Sequence, residues 1–252
     1  MSETLANKSI CLGKTTHHWA QKQEIDSYYF TTLDSTNSKA KAEAFNEHSF
    51  NKPLILYLAG HQSAGKGRGQ NSWVSDPSGS QLLSTWSFMS GLVPQPIISP
   101  MMGLALYRAA NASWPFLNWN LKAPNDLYIN SKKVAGILLE TVSQGDDHRL
   151  LLGLGINIIS SPDFLPTTAT SLAVELSKDA PLLTEDWIAF LERLHFEFSF
   201  SLQLSVAPMN TTSTHALLTA LNKHPLLKEK YISVDEHGNL ATAFKNTSWT
   251  EL

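Results

Sequence analysis

The chain predicts an α/β fold, α+β in detail: a mixed central β-sheet with helices packed mainly on one face, followed by a short C-terminal appendage. Three observations carry this. Strand-length runs, apolar throughout or alternating, recur at 26–33, 53–59, 81–89, 116–121, 127–129, 132–140 and 148–158. Helix-forming runs stand between or after them at 38–45, 101–112 and 184–200. The breaks are rich in Gly, Pro, Ser and Asn, which end elements and set turns.

Composition narrows the classes. A chain of 252 residues suffices for one large domain, or one domain with a small appendage. The 42% hydrophobic content, set against 16% charged, supports a packed soluble core. A net charge of −3 offers no overall electrostatic case for nucleic acid. Cys11 is the single cysteine, which excludes an internal disulfide framework and a cysteine-based metal site and agrees with a reducing cytosol. Met1–Ala6 lacks the basic and apolar regions of a signal peptide. No apolar run approaches the roughly 20 residues that span a bilayer. A cytoplasmic protein without a membrane segment is expected.

Residues 1–25 are polar and mixed, and are expected to form a loosely ordered lead-in. His17 and His18 lack companions at the spacing a metal site needs. Residues 26–33 are aromatic and β-branched, as a strand requires. Asp34-Ser-Thr-Asn37 then precedes an Ala/Lys/Glu helix, with Ser35 or Thr36 as N-cap. Those hydroxyls either cap alone or also face a ligand at the positive end of the helix.

Pro53–Ala59 reads as a buried strand that runs into Gly60–Trp73. There Lys66 and Arg68 alternate with Gly65, Gly67 and Gly69. Backbone N–H groups and two cations around one small volume suit an anion. A surface turn, a P-loop and a loop over an acyl-adenylate all fit the residues so far. The P-loop fits poorly, because Gly67 stands where Ser or Thr would hold Mg²⁺.

Gln81–Met89 alternates like a half-buried strand, and Ser99-Pro100 signals a helix start before the apolar run 101–112. Phe116–Leu121 reads as a strand ending in Lys122-Ala-Pro-Asn-Asp126, and a hairpin pattern follows around Asn130-Ser131. Gly153 and Gly155 interrupt the next buried strand, either for a close ligand or for sheet–helix packing. A short helix is expected near 171–177 and a strong one from Thr184, with Trp187, Ile188, Leu191 and Leu194 on one face. Residues 204–213 read as a linker, 216–222 as a helix, and 230–241 as a hairpin turning at 236–239.

Four segments thus stand in order: Asp34-Ser-Thr-Asn37; Gly65-Lys-Gly-Arg-Gly69 with Trp73; Lys122-x-Pro-Asn-Asp126 followed by Lys133-Val-Ala-Gly-Ile-Leu-Leu-Glu140; and Gly153-Leu-Gly-Ile-Asn157. Together they resemble the catalytic domain of the biotin–protein ligases, within the biotin/lipoate protein ligases, over about residues 26–200. The resemblance implies a class II synthetase-like catalytic domain at 26–205, after the lead-in 1–25 and before a small, reduced C-terminal domain at 214–252.

It also implies a two-step reaction. Biotin and MgATP give biotinyl-5′-adenylate, and biotin then passes to a lysine of a biotin carboxyl carrier protein domain of a biotin-dependent carboxylase. By the same resemblance Lys133 is the catalytic lysine, with Arg68 and Asp126. Ser35, Thr36, Asn37, Gln62, Lys66, Gly67, Arg68, Lys133, Gly136 and Gly153 line the biotin site. Lys66, Arg68, Trp73, Asn125, Lys133 and Asn157 serve the nucleotide, with Mg²⁺ near Asn125 and Asp126, and Gly155 helps to floor the pocket. Such enzymes often dimerise through a sheet edge. A lipoate or octanoate ligase and a non-catalytic biotin binder are the alternatives.

The chain departs from the family pattern at three points. Ala123 stands where Trp is usual, Lys66 where Arg is common, and 214–252 is short for an SH3-like barrel. No DNA-binding segment is apparent before the catalytic part, so no DNA partner is expected.

Overall fold

The computed structural model describes residue 5 and residues 10–162, 168–177, 179–205 and 207–251. Seven strands form one mixed sheet in the order β1-β2-β3-β7-β6-β5-β4. In chain order the elements of its first part are α1 (Leu12–Lys22), β1 (Asp26–Leu33), α2 (Thr36–Glu43), β2 (Leu54–Gln62) and β3 (Gln81–Ser90). Then come α3 (Ile98–Ser113), β4 (Trp119–Lys122), β5 (Asp126–Ile129), β6 (Lys132–Gln144) and β7 (Asp147–Asn157). The helices α4 (Leu172–Glu175), α5 (Thr184–Leu204) and α6 (Thr211–Asn222) follow, and then short strands β8 (Ser233–Val234), β9 (Leu240–Ala241) and β10 (Asn246–Thr247). Among the described residues no helix is long and apolar enough to cross a membrane.

The chain divides into two compact units, 1–93 with 135–188, and 94–134 with 189–252. It passes between them inside β6 and again inside α5. Long-range strand pairing, invisible to local composition, sets these divisions.

In the first unit β1 pairs parallel with β2, and β2, β3, β7 and β6 continue antiparallel. Parallel neighbours need a crossover, and α2 supplies it. Neighbouring residues on a strand face opposite sides of the sheet. The α1 residue Trp19 meets Trp86 at 6.2 Å between ring centroids, whereas the α2 residue Asn37 bonds Thr85 next to it. So α1 and α2 lie on opposite faces. Ala40 of α2 packs with Ile55, Tyr57 and Leu151.

Of the loosely ordered lead-in expected at 1–25, residues 1–4 and 6–9 lie outside the described residues, and Leu12–Lys22 forms helix α1. Leu12, Thr16, Trp19 and Ala20 recur at helical spacing and are buried. Strand β3 is buried along Gln81–Phe88 rather than on one face only. Its polar residues are satisfied: Ser84 Oγ donates to the Leu154 carbonyl at 3.4 Å, and Ser87 Oγ accepts from Arg149 at 3.3 Å.

In the second unit α3 begins at Ile98, and its N-cap is Ile97 rather than Ser99. Ser99 Oγ instead takes the Trp249 indole N–H at 3.1 Å. Strands β4 and β5 pair antiparallel, Trp119↔Ile129 to Lys122↔Asp126. Trp119 donates to the Trp114 carbonyl at 2.9 Å, and Trp114 meets Phe190 at 5.1 Å between centroids. The linker expected at 204–213 gives way to α6 at Thr211, because Asn210 caps it by accepting from Ser213 N–H at 2.8 Å. Strands β8 and β9 form the expected hairpin, and β10 adds a third strand in the order β10-β9-β8. At the turn Gly238 has φ of +85°, and a Cβ there would lie 2.9 Å from Pro100 Cγ, so glycine is required twice over.

Candidate active site

Parallel pairing decides where the first unit gathers its polar groups. Leu33 lies opposite Gln62 in the β1–β2 register, so both strands end at one edge. Asp34-Ser-Thr-Asn37 and the glycine loop therefore leave the sheet side by side. Ser35 is the N-cap of α2 and accepts from Ser38 N–H at 3.4 Å. Thr36 donates to Gln62 Oε1 twice, from N–H at 2.7 Å and from Oγ1 at 3.0 Å. An N–H can only donate, so Gln62 must turn its oxygen to Thr36. Its Nε2 is thereby fixed on the other side, 3.2 Å from where a Cβ on Gly65 would sit. Ser75 anchors the same residue, with its Oγ accepting from Gln62 N–H at 2.9 Å and donating to Gln62 O at 3.0 Å.

The glycine loop is a small folded hairpin. Lys66 and Ser72 form a bridge, Trp73 N–H donates to Gly65 O at 2.9 Å, and Gly67 N–H donates to Asn71 O at 2.9 Å. A Cβ on Gly65 would lie 2.4 Å from Trp73 O, so no side chain fits there. Lys66 is exposed and Arg68 half-buried, and among the described residues neither is held in a salt bridge. The loop therefore carries two cations, and the charge of Lys66 reaches Glu140.

The glycines of β7 now have a physical explanation. A Cβ on Gly153 would be 2.1 Å from Asn37 Oδ1, and one on Gly155 would be 2.4 Å from the Trp73 ring. Gly153 makes room for Asn37, and Gly155 for the indole of Trp73. Gly136 lies opposite Gly155 and is buried. Asn157 accepts from Gln81 Nε2 at 2.7 Å and donates to Thr170 O at 3.1 Å, tying β7 to β3 and to the chain before α4. We expect Gly153→Ala to destabilise the fold by about 1–3 kcal/mol in urea unfolding, as overpacking does. A change under about 0.5 kcal/mol would show that Asn37 can move aside freely.

Two residues without an assigned role in the sequence reading complete a wall of hydroxyl and amide groups. Thr85 Oγ1 lies 2.6 Å from Asn37 Oδ1 and 2.9 Å from Thr36 Oγ1. Glu140 accepts from Asn37 Nδ2 at 3.0 Å and from Lys41 at 3.2 Å. Burial alone would raise the Glu140 pKa. The bonds from Asn37 and Lys41, with the charges of Lys41 and Lys66, outweigh it and hold the carboxyl below its ordinary range. The parity of Glu140 with Gly136 and Leu138 along β6 was the available signal, since alternate residues share a face.

The remaining candidates belong to the second unit. Lys133 Nζ lies 2.6 Å from Asp126 Oδ1, their side chains 34% and 17% exposed. Asp126 opens β5 and Lys133 is the second residue of β6, so the tight Asn130-Ser131 turn brings them together. Asn125 is half-buried just before β5, after a cis Ala123–Pro124 bond. The Tyr128 hydroxyl, two residues from Asp126, is pushed up to about 12 by burial and then by the Asp126 charge. Among the described residues no three His, Cys, Asp or Glu side chains gather as a metal cage.

A sequence model described as the biotin/lipoate A/B protein ligase family matches residues 29–157, which include the wall, the glycine loop and the Lys133–Asp126 pair. The chain belongs to that family. Among curated members, the human biotin–protein ligase is 31% identical over 172 residues, covering 62% of this chain and 23% of that protein. The biotin–[acetyl-CoA-carboxylase] ligase of Paracoccus denitrificans is 34% identical over 132 residues, covering 52% of this chain and 53% of that protein. The chain thus spans about half or less of these relatives' length. Among family structures, the Aquifex aeolicus biotin protein ligase in complex with biotin and ATP has a TM-score of 0.63 at 20% identity, covering 90% of this chain and 97% of that one. The Leishmania major biotin protein ligase in complex with biotinyl-5-AMP has a TM-score of 0.60 at 20% identity, covering 86% of this chain and 94% of that one. These likenesses establish the fold.

Proposed function

We propose that the chain is an ATP-dependent biotin–protein ligase, which activates biotin as biotinyl-5′-AMP and transfers it to a lysine of a biotin carboxyl carrier protein domain. Within a family that also handles lipoate, one observation favours biotin. The Ser35–Thr36–Gln62 wall is rich in fixed donors and acceptors, and Gln62 is held with its Nε2 as the available donor. A ureido ring satisfies such a wall, whereas the dithiolane of lipoate leaves its buried polar groups unpaired, which sites of this kind reject strongly. The names of the curated relatives agree with this choice.

The residues then divide the work. Ser35, Thr36 and Gln62 read the ureido group. Attack of the biotin carboxylate on the α-phosphate brings two anions together, and cations must offset the repulsion; Lys66 and Arg68 are the candidates in the first unit and Lys133 in the second. The loop 65–73 screens the adenylate from water, with Trp73 beside the nucleotide. Asn125 and Asp126 would supply protein oxygens to the Mg²⁺ that accompanies ATP, which would offset phosphate charge. Asp126 also receives the incoming lysine. A cytoplasmic location agrees with the single cysteine, and self-association through a sheet edge fits the family pattern.

Purified protein is incubated with MgATP and either biotin or lipoate, and the products are read by mass spectrometry. Biotinyl-adenylate from biotin, with no adenylate from lipoate, is the expected result. Lipoyl-adenylate as the sole product would assign the chain to the lipoate branch. Bound biotin without adenylate would make it a binder.

A further inference from the structure

The wall that faces the ligand is held from behind by residues far away in sequence. Asn37 is 3% exposed and sits in the space that Gly153 leaves. Both ends of its amide are engaged by protein: Thr85 Oγ1 at 2.6 Å from Oδ1, and Glu140 Oε2 at 3.0 Å from Nδ2. A carboxylate only accepts, so Glu140 fixes which way the amide faces. Asn37 follows Thr36 in the first turn of α2, and Thr36 in turn sets the Gln62 amide through two bonds. Thr85 touches both Asn37 and Thr36, so it joins the two links. The chain of contacts runs from β6 and β3, through the start of α2, to the end of β2.

We infer that Glu140 and Thr85 are positioning residues for biotin recognition, acting through Asn37, and that Asn37 is a brace rather than a ligand contact. This rests on the biotin-ligase reading above. A brace of this kind sets how well the wall is organised before the ligand arrives, so it tunes biotin binding more than the chemical step.

The test compares Glu140→Ala, Glu140→Gln and Thr85→Val with wild type in the full chain. Glu140→Ala should weaken biotin binding about tenfold by calorimetry, the scale of one lost bond to a charged acceptor. Its KM for biotin should rise similarly, with kcat within about twofold of wild type. Glu140→Gln keeps an oxygen opposite Asn37 Nδ2 and should restore biotin binding to within about twofold. Thr85→Val, nearly isosteric, should show the same KM-against-kcat split. Hydrogen exchange at the Thr36–Ser38 amides should be faster in Glu140→Ala than in wild type.

Unchanged exchange, or wild-type biotin binding despite faster exchange, overturns the assignment. So does a Glu140→Gln variant as weak as the alanine one, because acceptor geometry would then not matter. Wild-type protein that binds no biotin overturns the ligase reading itself, and this inference with it.

Discussion

Replacing Lys133 with alanine should lower acyl-adenylate formation by at least about 100-fold, the loss typical of removing one preorganised charge-stabilising group. The fold should hardly register the change. The Lys133–Asp126 pair at 2.6 Å is partly exposed, and pairs of that kind contribute about 0–1 kcal/mol. A thermal midpoint within about 2 °C of wild type is therefore expected. The two expectations diverge because water screens the pair in the folded protein, whereas the reaction sets a carboxylate against a phosphate. Arginine at 133 should recover only part of the rate. Its planar fork restores the charge without the compact ammonium geometry. Single-turnover adenylate formation, followed by mass spectrometry, checks this. Undiminished turnover in Lys133→Ala would remove the residue from the mechanism.

The largest expected effect on stability lies elsewhere, at Arg149. Its side chain is fully buried in β7. The guanidinium donates to Ser87 O at 3.1 Å, to Lys52 O at 2.6 Å and to the Ser49 carbonyl. It therefore ties the chain between α2 and β2 to the middle of the sheet. The charge is met by carbonyl dipoles and the Ser87 hydroxyl. Nearby Tyr57 stays a neutral phenol, because burial pushes its pKa up to about 12. Arg149→Met preserves bulk but leaves buried carbonyls without donors. A loss of about 3–5 kcal/mol is expected from urea unfolding, comparable to breaking a buried charged network. In a domain of this size that lowers the thermal midpoint by roughly 10 °C. A loss below about 1 kcal/mol would mean that water replaces the guanidinium.

The sheet was legible in the sequence because most of its strands announce themselves through apolar runs, such as Leu54–Ala59 and Leu150–Leu152. Helix α1 was not. His17, His18, Lys14 and Lys22 mask the spacing of Leu12, Thr16, Trp19 and Ala20, and Cys11 at the N-cap gives no side-chain cap to flag the start. Strand β3 looked half-buried because Ser84, Thr85 and Ser87 suggested a wet face. Each hydroxyl instead finds a partner inside. Periodicity reports polarity, and polarity equals exposure only where bonds are missing. At the candidate site Asp34-Ser-Thr-Asn37 and Gly65-Lys-Gly-Arg-Gly69 stood out as local motifs. Glu140 and Thr85 did not, because their importance lies in bonds spanning 103 and 48 residues. Strand β10 escaped because Asn246–Thr247 is too short to show alternation.

The contacts of Thr36 and of Asn37 differ in the chain length they must close. The Thr36–Gln62 contact spans 26 residues, covering α2 and β2, while Asn37–Glu140 spans 103. Closing the longer loop costs about 1 kcal/mol more in chain entropy, from two doublings of length. During refolding the β1–α2–β2 crossover should thus acquire protected amides first, and the Glu140 contact should arrive later, once β6 has joined β7. A chain stalled between those stages would carry a formed but loosely set recognition wall. If the proposed biotin site is correct, recovery of biotin binding lags behind recovery of secondary structure, and the interval between the two times the arrival of β6.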